Sequence, residues 1–187
     1  MSHLLSADRK APSFIADAML GSVARKLRIF GFDTLYVAHA SDDEILKIGI
    51  EQNRVILTAD KDLFKRIVKA GADGVLVDSR AGDDVPDLVH ILAKNGITSI
   101  GLDGISSRCS VCNGLLEART PEQVRDSLPG ERIAELQSEF YQCTSCGKVY
   151  WEGGHLRRIR ALAKRVDREL RSAAAATTTT TTAAAAT

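Results

Sequence analysis

Between Ser13 and about Leu102, short β-type runs alternate with helical stretches, and the joints between them are short. This alternation constrains the fold more than any other feature, because parallel strands need crossover helices that cover both faces of their sheet. Ser13-Phe-Ile-Ala reads as a buried strand ending at Asp17, and Leu20, Val23, Ala24, Leu27 and Phe30 recur at helical spacing before a natural stop at Gly31. Thr34-Leu-Tyr-Val is a second strand. Ser41 and Glu44 form a Ser-x-x-Glu capping box opening a helix with Ile45, Leu46, Ile48 and Ile50. Arg54 to Thr58 is a third strand, followed by a helix with Leu63, Phe64, Ile67 and Val68. Val75-Leu-Val is a fourth strand, Val85 to Lys94 a helix, and Ser99 to Leu102 a fifth strand. The expected class is α/β: a doubly wound parallel sheet over residues 13–104. Its ligand sites should lie beyond the carboxyl ends of the strands.

Residues 105–171 differ in character and are expected to form a second module, a cysteine ribbon with a basic C-terminal helix. Two short helical stretches are expected inside it, around Glu122–Leu128 and Ile133–Glu139. All four cysteines fall in two Cys-x-x-Cys pairs, Cys109/Cys112 and Cys143/Cys146, with 30 residues between the pairs. Each pair presents two thiolates to one ion, and two such knuckles complete a tetrahedral four-sulfur shell. Asn113-Gly114 and Gly147 suit the tight, φ-positive turns that knuckles need. A closed shell leaves no open position, so the expected ion is a structural Zn²⁺. Iron is the alternative that spacing leaves open. Residues 172–187 are Ser, Ala and Thr and are expected to be disordered. Met1 to Pro12 lacks an apolar core of signal-peptide type, and no apolar run is long enough for a bilayer. Paired cysteines then fit a reducing, cytoplasmic setting without a membrane partner.

The informative carboxylates follow strand ends. Asp17 ends the first strand, Asp42 and Asp43 open the helix after the second, and Asp60 and Asp62 follow the third. On one edge of a parallel sheet these groups would repel one another and raise some of their pKa values. A divalent cation relieves that repulsion, and oxygen ligands select Mg²⁺ or Mn²⁺. The competing explanation is structural, because Asp at a helix N-terminus favours the helix dipole.

Several motifs agree in order and spacing with one family. Phe14-Ile-Ala-Asp17-Ala-Met-Leu-Gly21, Ala24-Arg25-Lys-Leu-Arg28, Gly31-x-Asp33-Thr, Ser41-Asp-Asp-Glu and Arg54-Val-Ile-Leu-Thr-Ala-Asp60-Lys-Asp62, with both cysteine pairs and Tyr150-Trp-Glu-Gly-Gly-His155, resemble the Mut-seven C-terminal RNase family, a branch of the PIN-like nucleases. The resemblance covers about Phe14 to Arg160. It implies a PIN-like fold, an associated zinc ribbon and metal-dependent RNA cleavage. It also implies acidic site positions at Asp17, Asp42 (with Asp43 the less favoured register), Asp60 and Asp62. Ala59 departs from the arginine expected there, and Gly154-His155-Leu departs from a Ser-His-Trp type sequence.

Basic residues cluster in two places despite a net charge of only +1. Arg25, Lys26 and Arg28 ride the first helix, and Arg157, Arg158, Arg160 and Lys164 lead a basic terminal helix. Such groups beside aromatics suit RNA, whose phosphates meet Arg and Lys while its bases stack on rings. Trp151 is expected to fill the ribbon's core. No catalytic role is assigned to His155. The leading expectation is a metal-dependent endoribonuclease whose ribbon aids RNA binding. An inactive PIN-like RNA-binding adaptor and a toxin-type RNase held by a partner protein are the alternatives, and a homodimer is left open.

Overall fold

The computed structural model describes residues 11–78, 83–102, 106–127, 139–151 and 154–184, with side chains between 157 and 176 for the last of these stretches. Strands β1 (Phe14–Ala16), β2 (Thr34–Tyr36), β3 (Val55–Thr58) and β4 (Gly74–Leu76) form a parallel sheet in the order β2-β1-β3-β4. The register pairs Ala16 with both Tyr36 and Leu57, and Thr58 with Leu76. The carboxyl ends of all four strands therefore meet on one edge.

Side chains alternate across this sheet with the period of two that strands impose. Phe14, Ala16, Leu57, Val75 and Val77 pack with helices α1 (Gly21–Ile29) and α4 (Val85–Lys94). Ile15 and Ile56 face the other way, against Ile45 of α2 (Asp42–Glu51) and Leu63 and Ile67 of α3 (Lys61–Lys69). The sheet is doubly wound, as the sequence pattern predicts. Helix α1 leads from β1 towards one side and α3 from β3 towards the other, on opposite faces. The topological switch point thus falls between β1 and β3, where such folds open a crevice.

Local chemistry fixes the element ends. Ser41 and Glu44 make the predicted capping box: Ser41 N–H donates to the Glu44 carboxylate at 2.8 Å, and Glu44 N–H to the Ser41 hydroxyl at 3.4 Å. Helix α1 ends in a Schellman motif, with Gly31 N–H on Arg28 O at 2.9 Å and Phe32 N–H on Leu27 O at 3.0 Å. Gly31 has φ +96°, and a Cβ there would lie 2.8 Å from Ser106 O, so both conformation and space require glycine.

The second module is an antiparallel sheet, β5 (Leu116–Arg119), β6 (Phe140–Cys143) and β7 (Val149–Trp151), in the order β5-β6-β7. Short helix α5 (Pro121–Val124) and a 3-10 turn over Arg125–Ser127 occupy the first expected helical stretch, and Val124 packs on Phe140 and Val149. The second expected stretch lies outside the described residues apart from Glu139.

Four features depart from the sequence reading. Ser99–Leu102 is not a strand: Ile100 N–H donates to Asp167 of the terminal helix at 2.9 Å rather than to a sheet neighbour. That helix, α6 (Gly154–Ala184), was grouped with the ribbon, yet Ala163, Val166 and Leu170 pack into the first core and its main neighbour is α4. The backbone also stays helical into the tail as far as Ala184, where the Ala173–Ala176 run has the highest intrinsic helix propensity. Trp151, expected inside the ribbon, is 40% exposed near the end of edge strand β7. Among the described residues, no helix is long and apolar enough to cross a membrane.

Candidate functional site

Asp17 immediately follows β1 and is 6% exposed. One carboxylate oxygen, Oδ1, accepts the Met19 N–H at 2.9 Å, capping a 3-10 turn at Ala18–Leu20. The other, Oδ2, accepts the Thr58 hydroxyl at 2.5 Å and the Ala59 N–H at 3.3 Å. The Thr58 oxygen in turn accepts the Asp60 N–H at 2.9 Å. Asp60 caps α3, its Oδ1 accepting from Asp62 N–H at 2.6 Å and Leu63 N–H at 3.1 Å. Two of the predicted carboxylate residues are thus joined through one hydroxyl at the switch point. Both also serve as helix or turn caps, so the structural and functional explanations coincide in the same side chains.

The other acids are held elsewhere. Asp42 lies 3.2 Å from Arg66, and Asp43 pairs with the same guanidinium. Asp62 is exposed and ion-paired to Lys65 at 2.8 Å, which holds its carboxyl below the usual range. Among the described residues, the one compact group of three or more metal-ligating side chains is the cysteine tetrad, not the acids. Among the described residues the five acids do not draw into one compact group, and Lys65 and Arg66 stand beside the outer three.

Sequence reasoning passed over two residues of this edge. Asp78 stands two positions beyond the end of β4, as Asp60 stands two beyond the end of β3. The run Val75-Leu-Val-Asp78 carries the same apolar-then-acid signal as Ile15-Ala-Asp17 and was readable. Thr58, buried, gave no such signal, because a threonine ending a strand is ordinary for its propensity.

The cysteine knuckles are brought together as predicted. Cys109 Sγ lies 3.6 Å from Cys146 Sγ and Cys112 Sγ 3.4 Å from Cys143 Sγ, with all four sulfurs within 4.8 Å of one another. These separations are far from a disulfide's roughly 2.05 Å and near the edge of about 3.8 Å for a tetrahedron with Zn–S about 2.3 Å. Backbone N–H groups point at the sulfurs: Cys112 N–H donates to Cys109, and Ser145 and Cys146 N–H to Cys143, at 3.4–3.5 Å. Asn113 and Gly147 take φ values of +71° and +72°, as the turn chemistry requires. Burial raises the Cys109 pKa, but bonds from the Tyr150 hydroxyl and neighbouring N–H groups outweigh it and bring the thiol to about 6. Burial pushes Cys112 up to about 12. Four sulfurs this close do not share ionisation evenly without a cation between them, so the donor set fits a divalent soft-ligand metal such as Zn²⁺.

The first knuckle is docked on the parallel sheet. Arg28 is 6% exposed and donates to Thr34 O at 2.8 Å, Ser110 O at 3.2 Å and Val111 O at 3.0 Å. Asn113 accepts the Thr34 N–H at 3.0 Å and donates to Asp33 at 2.8 Å, and Asp33 is ion-paired to Arg54 at 2.9 Å. Arg28, expected on a nucleic-acid surface, is instead an internal clamp. Its position in the helix matched a polar face, but the ribbon covers that face. Lys26 is likewise engaged, half-buried against Asp84, whose carboxylate also accepts the Ser22 hydroxyl at 2.8 Å. Arg25 remains exposed, as do Arg157, Arg158, Arg160 and Lys164 on α6. The His155 side chain lies outside the described residues.

A family model for the Mut7-C RNAse domain matches residues 12–163, spanning both the parallel sheet and the ribbon. A human (Homo sapiens) protein, "Exonuclease mut-7 homolog", is 40% identical over an alignment of 52 residues that covers 24% of this chain. The matched stretch is 6% of that protein's length. No solved structure matches. With most of its length inside the match, and with the acidic strand ends and cysteine knuckles in the expected order, the chain belongs to the Mut7-C RNAse domain family.

Proposed function

We propose that the chain is a metal-dependent endoribonuclease whose chemistry occurs at the carboxyl edge of the parallel sheet, beside Asp17 and Asp60. The observation that carries this reading is the Asp17–Thr58–Asp60 linkage at the switch point, within a family described as an RNase domain. Asp17 accepts three hydrogen bonds of the roughly four a carboxylate can take, so one lone pair stays available. Asp60 caps its helix through Oδ1. All-oxygen donors suit a hard cation, so Asp17 and Asp60 would hold Mg²⁺ or Mn²⁺, with Asp42 and Asp62 contributing directly or through water. When bound, such an ion supplies a water of lowered pKa and stabilises charge on the phosphate.

The protein's own residues have distinct tasks. Thr58 donates to Asp17 and so keeps that carboxylate oriented. A neighbouring carboxylate takes the proton of the attacking water. Water attack on phosphorus leaves a 5′-phosphate and a 3′-hydroxyl. Arg25 and the exposed Arg157, Arg158, Arg160 and Lys164 meet backbone phosphates, and the zinc ribbon aids RNA binding. The adaptor reading draws support from one feature: Asp42, Asp43 and Asp62 are each engaged by a cation of α3. Incubation of labelled single-stranded and structured RNAs with Mn²⁺ or with EDTA, followed by end-group analysis, tests the proposal. Cleavage only with Mn²⁺, leaving 5′-phosphates, is expected.

A further inference from the structure

Tyr36 closes β2 at the same sheet edge as Asp17, and its register partner is Ala16, the residue before that aspartate. Its hydroxyl donates to Ala18 O at 3.1 Å. Its ring lies on Gly21: a Cβ there would sit 2.9 Å from both Cζ and Oη of Tyr36. The ring is therefore fixed at two points, by a bond at its tip and by bare backbone beneath it, and is still 36% exposed. Met19, whose N–H is capped by Asp17 and which follows the Ala18 that accepts from Tyr36, is 68% exposed. Arg25 is exposed one helical turn beyond Gly21, on the same side of α1 by the i, i+4 rule. An exposed aromatic and an exposed methionine serve no purpose in the core at a sheet edge lined with carboxylates. They do suit a ligand that is flat and apolar in one part and anionic in another.

We propose that the Tyr36 ring, fixed over Gly21 by its bond to Ala18, is the stacking platform for an unpaired base of single-stranded RNA next to the scissile phosphate. The inference takes its location from the nuclease reading of the Asp17 site, but binding can be measured without cleavage. Arg25 meets the phosphate that follows this base. Bases inside a duplex already stack on their neighbours, so the platform selects single-stranded over double-stranded substrate. Every base has a π-face, so sequence preference at this position is weak.

The test is the affinity of the full chain, carrying Asp17→Asn to prevent cleavage, for a short labelled single-stranded RNA and for the blunt duplex of the same sequence. Asp60→Asn provides a second background. Tyr36→Leu is expected to weaken single-strand binding about tenfold and to leave duplex binding unchanged. Tyr36→Phe, which keeps the ring, is expected to stay within about twofold of the parent. If Tyr36→Leu does not fold, Tyr36→Val, suited to a strand end, replaces it with the same expected loss. Unchanged single-strand affinity overturns the platform, as does equal loss on both RNAs or failure of the parent to bind single strands. A platform effect in the Asp17→Asn background, with no Mn²⁺-dependent cleavage of the same RNA by the chain that keeps Asp17 and Asp60, would overturn the nuclease reading alone.

Discussion

The Thr58 hydroxyl donates to the Asp17 carboxylate across a 2.5 Å contact while its oxygen accepts the Asp60 N–H, so strand β3 holds both acids with one side chain. Valine has the same shape without the hydroxyl. Thr58→Val leaves a buried carboxylate oxygen and a part-buried N–H without this partner, which costs about 2 kcal/mol. The expected result is an unfolding midpoint about 4–8 °C lower, with cleavage reduced at least tenfold. Thr58→Ser should recover most of both. Thermal unfolding and initial cleavage rates measure the two effects.

Arg28 joins the ribbon to the parallel sheet through three donated bonds. Arg28→Met keeps the aliphatic volume but strands those acceptors, at a cost of about 3 kcal/mol. Because two of the acceptors belong to Ser110 and Val111, between Cys109 and Cys112, the variant should also lose its metal to a chelator faster than the parent. Denaturation and the rate of metal transfer to a coloured chelator check this pair of outcomes.

The tetrad should hold one zinc ion per chain. Cys112→Ser or Cys143→Ser is expected to abolish stoichiometric zinc and lower stability by several kcal/mol. The loss should reach the parallel sheet as well, since Asn113 bonds Thr34 of β2 and Asp33 just before it. Elemental analysis with amide exchange of Asp33 to Tyr36 distinguishes this from loss confined to the ribbon.

Asp87 is buried on α4, and burial, aided by the Asp84 and Asp78 carboxylates, raises its pKa above 3.8. The fold therefore favours its neutral form. That contribution is complete below 3.8 and is lost as pH rises through the higher folded value. Asp87→Asn, neutral at every pH, should raise the unfolding midpoint near about pH 7, and the gain should disappear near about pH 3. Melting curves of both proteins across this range decide it.

Periodicity carried most of the architecture. The alternation of Ile15 and Ile56 against Phe14, Ala16 and Leu57 is a local property of strands, and it sufficed for a doubly wound sheet. The knuckles were equally legible, because Asn113 and Gly147 adopt the turn geometry that Cys-x-x-Cys spacing demands. What sequence could not convey was partnership between distant segments. Arg28 reads as polar surface until the ribbon covers it, and α6 reads as part of the ribbon until Ala163, Val166 and Leu170 meet the first core. Ser99–Leu102 has a strand's composition, but the Asp167 carboxylate takes the Ile100 N–H instead. The acids were legible together at their strand ends, whereas Arg66 opposite Asp42 and Asp43 belongs to another helix and could not be paired by spacing.

The central claim is that Asp17 and Asp60 form the reactive edge, and one comparison tests it most directly: Mn²⁺-dependent cleavage of labelled single-stranded RNA by the parent, Asp17→Asn and Asp60→Asn chains, all zinc-replete and folded. Asparagine keeps volume and one acceptor but removes the charge. The account predicts a loss of at least a thousandfold, about 4 kcal/mol, in each variant, with RNA binding retained. Cleavage at the parent's rate in both variants would contradict it.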